Sequence, residues 1–170
     1  MPNIPSVNLS DFISNDLSLK QDFVNKLGKA YQEIGFVALK GHFLKDSDIK
    51  NIYKYIKKFF DLPKNIKCKY ELKGFAGQRG YTSFGKEHAK GKKYGDLKEF
   101  WHFGQYLEES EYSKFGYPKN LTVNEVPEFN KIGKKVYKSL EKTSIYVLRA
   151  ISLFLGLKED HFDKFVEKGN

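Results

Sequence analysis

A long amphipathic helical pattern near the end of the chain most constrains the fold. It begins at Pro127 and ends before Gly156, a residue favoured just after the last turn of a helix. Its apolar side chains recur at helical spacing, at Phe129, Ile132, Val136, Leu140, Val147, Leu148, Ile151 and Leu155. A helix of this length must bury one face, so we expect it to brace the rest of the fold.

Strands and helices alternate in the first part of the chain. Short apolar runs at residues 4–9 and 36–39 predict strands. A capping-box pattern starting at Ser18 predicts one helix with an apolar face, and Asp46 or Ser47 is expected to open a second helix with an apolar stripe of its own. This alternation predicts a mixed α/β fold, with a strand-helix-strand-helix unit before the long helix.

The other segments have weaker patterns. Residues 64–73 are typical of a short helix or turn, and a loop followed by a strand from about residue 98 to residue 106 is expected next. Residues 108–124 are polar and rich in turn formers, and residues 159–167 predict a short final helix.

A glycine-bounded stretch, residues 77–104, concentrates aromatic and titratable side chains. These are Arg79, Tyr81, Glu87, His88, Asp96, Glu99, Trp101 and His102. Pockets combine apolar surface with a few placed polar groups, whereas an ordinary surface loop has little use for so many of them. The stretch is therefore predicted to form the wall of a pocket.

Charge and composition exclude several classes of function. The net charge is +9, but the chain has only two arginines and its lysines are spread through every predicted element, so we expect no nucleic-acid partner. A lysine-rich module for anionic partners remains a weaker alternative. Apolar runs are too short for a membrane helix and the first residues do not resemble a secretory signal, which favours a cytoplasmic protein. One cysteine, Cys68, excludes an internal disulfide and a cysteine-built zinc site.

Short segments in a fixed order carry a family resemblance. They are Ile4–Leu9, Glu33–Phe36, Gly41–His42, Phe59–Pro63, Arg79–Glu87 and Asp96–Phe100. Together they resemble the N-terminal half of the isopenicillin N synthase-like, non-haem iron(II)/2-oxoglutarate-dependent oxygenases. The resemblance runs essentially from end to end of the chain.

The resemblance implies an enzyme whose catalytic centre lies in a different part of the polypeptide. In that family a double-stranded β-helix, or jelly-roll barrel, follows this half and holds iron(II) with a His-x-Asp pair and a distant histidine, while an Arg-x-Ser pair binds 2-oxoglutarate. No run of alternating strands follows Gly156 and the chain has no Arg-x-Ser, so we expect it to contain no metal site, to bind neither cofactor alone and to be inactive alone. The expected division is an oxygenase N-terminal domain at 1–107, followed at 108–170 by a linker and the bracing helix.

One His-x-Asp sequence does occur, at His161 and Asp163. A metal triad needs another histidine on a facing strand well downstream, and the local pattern is that of a polar helix. We therefore expect this pair to lie on a surface helix and not to bind iron.

The resemblance also implies the substrate-binding residues, which are Arg79, Tyr81 and Glu87. Arg79 is able to grip a substrate carboxylate, or alternatively to form a salt bridge with Glu87 or Asp96. Tyr81 is either a pocket residue or a core aromatic, and Glu87 either meets the substrate or forms an ion pair.

The remaining polar residues of the stretch are expected to have structural roles. Asp96 and Glu99 should lie on opposite faces of a strand, which excludes a paired acid/base role, and should cap turns or pair with lysines. Trp101 and His102 are expected to pack in the core or at the edge of the barrel, and His88 to face solvent.

A second hypothesis is a non-catalytic, stand-alone domain or partner subunit from a split or truncated gene. An exposed apolar patch is its expected signature. The stripe at Ile132, Val136, Leu140, Val147 and Ile151 is the candidate patch, although the same residues are equally suited to an internal core.

Overall fold

The structure is a computed structural model that describes residues 3–88, 90–91 and 93–168. It confirms the mixed α/β class. The elements in order are β1 (Ser6–Asn8), α1 (Leu9–Ile13), α2 (Leu17–Glu33), β2 (Ala38–Lys40), α3 (Asp46–Phe60), α4 (Lys64–Lys67), a 3-10 turn (Cys68–Tyr70), β3 (Gly80–Thr82), β4 (Phe100–His102), α5 (Glu109–Phe115), α6 (Pro127–Phe154) and α7 (Asp163–Val166).

The described residues form two compact units. Residues 3–45 and 138–168 belong to the first, and residues 46–137 belong to the second. Helix α6 therefore contributes its first part to the second unit and its remainder to the first. The predicted division at residue 107 stays a prediction.

The first unit is built on a parallel strand pair and two capped helices. Strands β1 and β2 pair with Ser6 opposite Ala38. Helix α2 begins at Leu17 because the carboxylate of Asp16 accepts hydrogen bonds from the backbone N–H groups of the first turn, at 2.8 and 3.2 Å. The prediction that a capping box at Ser18 opens this helix was wrong, since the cap lies two residues earlier.

The core of the first unit packs α6 against the N-terminal elements. Phe23, Val24 and Leu27 of α2 are buried there. Gly28 allows the close approach of α6, because a Cβ atom at this position would lie 2.1 Å from the ring of Phe154. The sequence could not show this contact, since a glycine inside a helical pattern carries no information about its neighbour.

The predicted C-terminal end of α6 is confirmed. Gly156 has a φ of +72°, and the backbone N–H of Leu157 donates to the carbonyl oxygen of Ser152 at 2.9 Å. The final helix is shorter than predicted: α7 begins only at Asp163, because turns occupy the residues before it.

The apolar stripe of α6 is mostly internal. Ile132 is buried, and Val147 and Ile151 pack against the core of the first unit. Of the five stripe residues, Leu140 is exposed, at 49 % of its full area. The stripe therefore does not form the continuous exposed patch that the second hypothesis expects.

The second unit has an aromatic core beneath an antiparallel strand pair. Phe59 of α3 is fully buried, stacked on Phe129 with ring centroids 5.2 Å apart and in edge contact with Trp101 at 4.8 Å. Strands β3 and β4 pair with Gly80 opposite His102 and Thr82 opposite Phe100.

Two expectations for this unit need correction. The strand predicted over residues 98–106 is only Phe100–His102, and its partner β3 lies inside the stretch that was expected to be a loop. The segment 108–124, expected to be turn-rich, contains helix α5, which Glu108 and Glu111 cap reciprocally. Among the described residues, no helix combines the length and hydropathy needed to cross a membrane.

Candidate substrate-pocket site

A glycine fixes the start of strand β3. Gly80 has a φ of +72°, and a Cβ atom there would lie 2.4 Å from the carbonyl oxygen of Tyr70. A residue with a side chain would therefore be both strained and in collision with the backbone. Because Gly80 holds β3 against this turn, the residues on either side of it, Arg79 and Tyr81, have defined positions.

Arg79 lies buried before β3, with 4 % of its area exposed. Its Nη1 donates a hydrogen bond to the carbonyl oxygen of Gln78 at 2.7 Å. Burial lowers the pKa of Arg79 and the tyrosines around it act in the opposite direction, but an arginine in a protein remains charged. The site therefore contains a permanent positive charge that is removed from water.

Three tyrosines act electrostatically on this charge: Tyr106, Tyr112 and Tyr137. The rings of Tyr106 and Tyr137 meet edge to face, 5.7 Å apart. Burial, reinforced by the other two phenols, raises the pKa of Tyr106 to about 12, so its hydroxyl stays protonated at neutral pH. Hydroxyl groups on apolar rings are suited to the recognition of a small polar molecule.

The backbone opposite Arg79 is a glycine held by an amide side chain. A Cβ atom on Gly104 would lie 1.6 Å from Cζ of Arg79, so a larger residue does not fit there without a shift. The side chain of Asn120 accepts from the Gly104 N–H at 2.8 Å and donates to its carbonyl oxygen at 2.9 Å. These bonds hold the Gly104 backbone beside the guanidinium.

Tyr81 is a core residue, with 2 % of its area exposed. Its hydroxyl donates to the carboxylate of Glu99, and burial together with this carboxylate raises the pKa of the phenol. The ring packs against Phe59 at 5.9 Å. Tyr81 was expected to be either a pocket residue or a core aromatic, and these contacts are those of a core aromatic.

Lys67 completes a buried charged network with Glu99. Its ammonium donates to both carboxylate oxygens, at 3.0 and 2.8 Å, and to the carbonyl oxygen of Phe60 at 3.0 Å. Burial acts to raise the pKa of Glu99, but the hydrogen bonds from Lys67 and Tyr81 outweigh it, and the pKa lies below its ordinary value.

Glu87 lies on the exposed part of the stretch. It forms an ion pair with Lys98, whose ammonium is also 3.5 Å from the carboxylate of Asp96. The expectation that Asp96 and Glu99 pair with lysines is confirmed. Both residues precede β4, so the expectation that they lie on one strand was wrong.

The histidines of the stretch lie at its surface. His102 is exposed, and its Nδ1 donates to the carbonyl oxygen of Gly77 at 2.6 Å. Of the two placements expected for His102, the core is excluded, and the edge of the barrel stays a prediction. Its neighbour Trp101 does pack into the aromatic core. His88 is exposed, as predicted.

The described residues do not fit an iron site. Within 3–88, 90–91 and 93–168, no group of three His, Cys, Asp or Glu side chains is close enough to hold a metal ion. Asp163 of the His-x-Asp sequence instead binds Arg149, which donates from Nε and Nη2 at 3.2 and 2.6 Å. The ring of His161 contacts Phe162, 5.0 Å away.

The three predicted site residues thus differ in their burial and in their partners. Arg79 and Tyr81 flank Gly80 and are both buried, whereas Glu87 is exposed and ion-paired. Sequence reasoning missed the contributions of Lys67 and Asn120. In a lysine-rich sequence nothing distinguishes the lysine that is buried. By contrast, Gly104, the glycine that ends the 77–104 stretch, does mark a close contact.

Comparison with known proteins agrees with this architecture. The family described as "non-haem dioxygenase in morphine synthesis N-terminal" matches residues 4–128. Homoarginine-6-hydroxylase 2-ODD-233 of rice, Oryza sativa subsp. japonica, is 30 % identical over 171 residues, which cover 94 % of this chain and 51 % of that protein.

Solved structures share the fold over the whole chain. A protein of Caulobacter crescentus assigned to the 2OG-Fe(II) oxygenase family is 33 % identical with a TM-score of 0.83, covering 100 % of this chain and 54 % of its own. A full-length protein of Neurospora crassa, solved in complex with alpha-KG, is 26 % identical with a TM-score of 0.78, covering 98 % of this chain and 48 % of its own.

The chain spans about half the length of the curated relatives it matches. The resemblance found in the sequence is confirmed, and the homologues of this chain include 2-oxoglutarate-dependent oxygenases. The chain belongs to the non-haem dioxygenase N-terminal family, the N-terminal part of the isopenicillin N synthase-like 2-oxoglutarate oxygenases.

Proposed function

We propose that this chain is the N-terminal part of an iron(II)/2-oxoglutarate-dependent oxygenase that acts on a small organic substrate. The observation that carries the proposal is the family match over residues 4–128. The structural similarity to an oxygenase of the 2OG-Fe(II) family covers the remaining residues as well. In the proposed reaction O2 is the oxidant. One oxygen atom enters succinate as 2-oxoglutarate loses CO2, and the other hydroxylates the substrate or leaves as water when the substrate is desaturated or cyclised.

Iron(II) and 2-oxoglutarate are proposed to bind in a jelly-roll barrel, in cis or in trans, and not to this chain alone. Two observations support this. The chain covers about half the length of relatives that match along nearly all of it, and Arg149 binds the carboxylate of Asp163. The 170-residue chain is therefore proposed to be inactive by itself. Its contribution to the enzyme is one side of the substrate pocket.

Arg79 is the residue proposed to contact the substrate most directly. A guanidinium binds a carboxylate through two parallel hydrogen bonds, and the interaction strengthens where water is excluded. Arg79 is buried and three tyrosines act on its charge, so its surroundings meet this condition. Tyr81 is proposed to support the pocket wall from the core side, and Glu87 to lie at the rim.

The reading frame of the native gene tests this proposal. We expect the frame to continue past Asn170 for roughly another domain's length and to encode His-x-Asp, a distant histidine and Arg-x-Ser. An intact mass measured on the native product establishes whether the two parts form one polypeptide. A native product that ends at Asn170, with no separate barrel chain, would leave the non-catalytic domain as the better description.

A further inference from the structure

A buried charged network connects a helix end to the strand pair of the second unit. The ammonium group of Lys67 has three N–H donors, and all three are used: two on the carboxylate of Glu99 and one on the carbonyl oxygen of Phe60. The side chains of Lys67 and Glu99 are only 9 % and 17 % exposed. The network therefore fixes the carboxylate of Glu99 relative to the C-terminal end of α3.

The same carboxylate determines where β3 lies. Tyr81 is the middle residue of β3, and its hydroxyl donates to Glu99. Glu99 immediately precedes β4, so this hydrogen bond joins the two strands beside their backbone pairing. Strands of three residues have few ladder bonds, and a side-chain contact at the strand end is a strong constraint on their register.

Register in turn decides the surroundings of Arg79. Gly104 lies two residues beyond β4, and a side chain at this position would collide with the guanidinium of Arg79 unless one of the two shifted. A slip of one residue would bring Phe103 or Gln105 to this place. It would also remove the carboxylate of Glu99 from the hydroxyl of Tyr81.

We propose that Lys67 and Glu99 are positioning residues, which act through Tyr81 to hold β3 and β4 in register and so place the guanidinium of Arg79. The importance of this placement for substrate binding rests on the proposed function. The geometric claim does not, because it concerns only contacts within the second unit.

The arginine composition of the chain provides a direct readout. Arg79 and Arg149 are the only arginines, so the ¹⁵N spectrum of arginine Nε–H groups has two signals to assign. Arg149 belongs to the first unit, where Asp163 binds it, and serves as an internal control. Hydrogen exchange of each Nε–H is measured in the 170-residue chain, without iron, cofactor or substrate.

The decisive variant is Tyr81→Phe, which removes one hydroxyl and keeps the ring in the core. We expect exchange at Arg79 to accelerate roughly ten- to a hundredfold. The reason is that the hydrogen bond from Tyr81 to the charged Glu99, which opposes local opening of the strand pair, is lost. Glu99→Gln should act in the same direction, since it removes the charge that Lys67 holds. The exchange rate at Arg149 should not change in either variant.

Tyr70→Phe is the matched control. Tyr70 also donates its hydroxyl to a carboxylate, that of Glu125, and its ring belongs to the same aromatic core. The proposal would be overturned if the exchange rate of the Arg79 Nε–H did not change in Tyr81→Phe, or if exchange at Arg79 and Arg149 accelerated equally. It would also be overturned if Tyr70→Phe accelerated exchange at Arg79 as much as Tyr81→Phe does. These outcomes leave the proposed function untouched, whereas failure to find oxygenase activity would leave the positioning claim standing.

Discussion

Gly104 lies directly against the guanidinium of Arg79. A Cβ atom at position 104 would come within 1.6 Å of Cζ of Arg79. The two hydrogen bonds between Asn120 and the Gly104 backbone oppose any movement of this backbone away from Arg79. The contact joins the residue before β3 to the segment after β4, and so links the candidate pocket residue to the fold.

The first prediction concerns this contact. Gly104→Ala should displace the side chain of Arg79 and lower the free energy of unfolding by about 1–3 kcal/mol, the usual cost of an added methyl group in a packed site. Urea unfolding of the 170-residue chain measures the change. In an Arg79→Ala background the same substitution should cost clearly less, and equal costs in the two backgrounds would show that the methyl group does not meet Arg79.

The second prediction concerns the buried ion pair. Lys67→Met leaves the carboxylate of Glu99 without its ammonium partner and should lower the free energy of unfolding by about 3–5 kcal/mol. Lys57→Met is the matched surface control, because Lys57 and Asp61 are 75 % and 61 % exposed, and it should cost about 0.5 kcal/mol or less. Similar losses in the two variants would contradict the assignment of Lys67 as a buried structural charge.

Sequence patterns predicted the parts of the fold whose periodicity extends over several turns. The helices that became α2, α3 and α6 were predicted from their apolar stripes, and the end of α6 from Gly156. Strand β3 was missed because Gly80, Tyr81 and Thr82 belong to no apolar run or alternation, whereas the equally short strands β1 and β2 lie within apolar runs. Its position depends on the contact of Gly80 with the carbonyl oxygen of Tyr70, which no local pattern reveals.

The candidate site was predictable only in part, for a similar reason. The glycine-bounded stretch did contain Arg79, and its boundary glycine proved to be a packing contact. Lys67 and Asn120 gave no signal, because a lysine or asparagine looks the same in the sequence whether it is buried or solvated. Burial of a polar side chain depends on distant partners that a local pattern does not reveal.

The third prediction concerns pH. Burial acts to raise the pKa of Glu99, yet Lys67 and Tyr81 hold it below the ordinary value of 4.5. A carboxylate whose pKa is lower in the folded chain stabilises the fold above the unfolded pKa, and this contribution is lost as the pH falls through the folded pKa. The difference in unfolding free energy between wild type and Glu99→Gln should therefore be constant near neutral pH and shrink below about pH 4.5.

Urea unfolding of both proteins between about pH 7 and about pH 3 gives this difference. Glu125→Gln provides a comparison, since Glu125 also bonds a tyrosine, Tyr70, and also has a lowered pKa. A difference for Glu99→Gln that grows as the pH falls would show that the carboxylate is not stabilised in its charged form.

The fourth prediction tests Arg79 in the complete enzyme. Arg79→Lys keeps the charge but loses the planar pair of donors, so kcat/KM for the organic substrate should fall by about ten- to a hundredfold. The KM for 2-oxoglutarate should not change, because Arg79 is proposed to contact the other substrate. Unchanged kinetics for the organic substrate would exclude Arg79 from substrate binding.

The fifth prediction concerns the His-x-Asp sequence at His161 and Asp163. The carboxylate of Asp163 is engaged by Arg149, so iron(II) would have to displace a charged partner to reach it. Calorimetric titration of the 170-residue chain with iron(II), under anaerobic conditions, should show no binding that His161→Ala abolishes. Binding that is lost in His161→Ala would contradict the placement of the iron site outside this chain.

Turnover of 2-oxoglutarate by the native gene product tests the central claim most directly. Succinate release is measured with and without iron(II), in the presence of a panel of small organic acids and amino acids, beside the 170-residue chain. We predict iron-dependent succinate release by the native product and none by the 170-residue chain. A native product that carries a barrel, retains iron(II) and still releases no succinate would contradict the assignment of this chain to an active oxygenase.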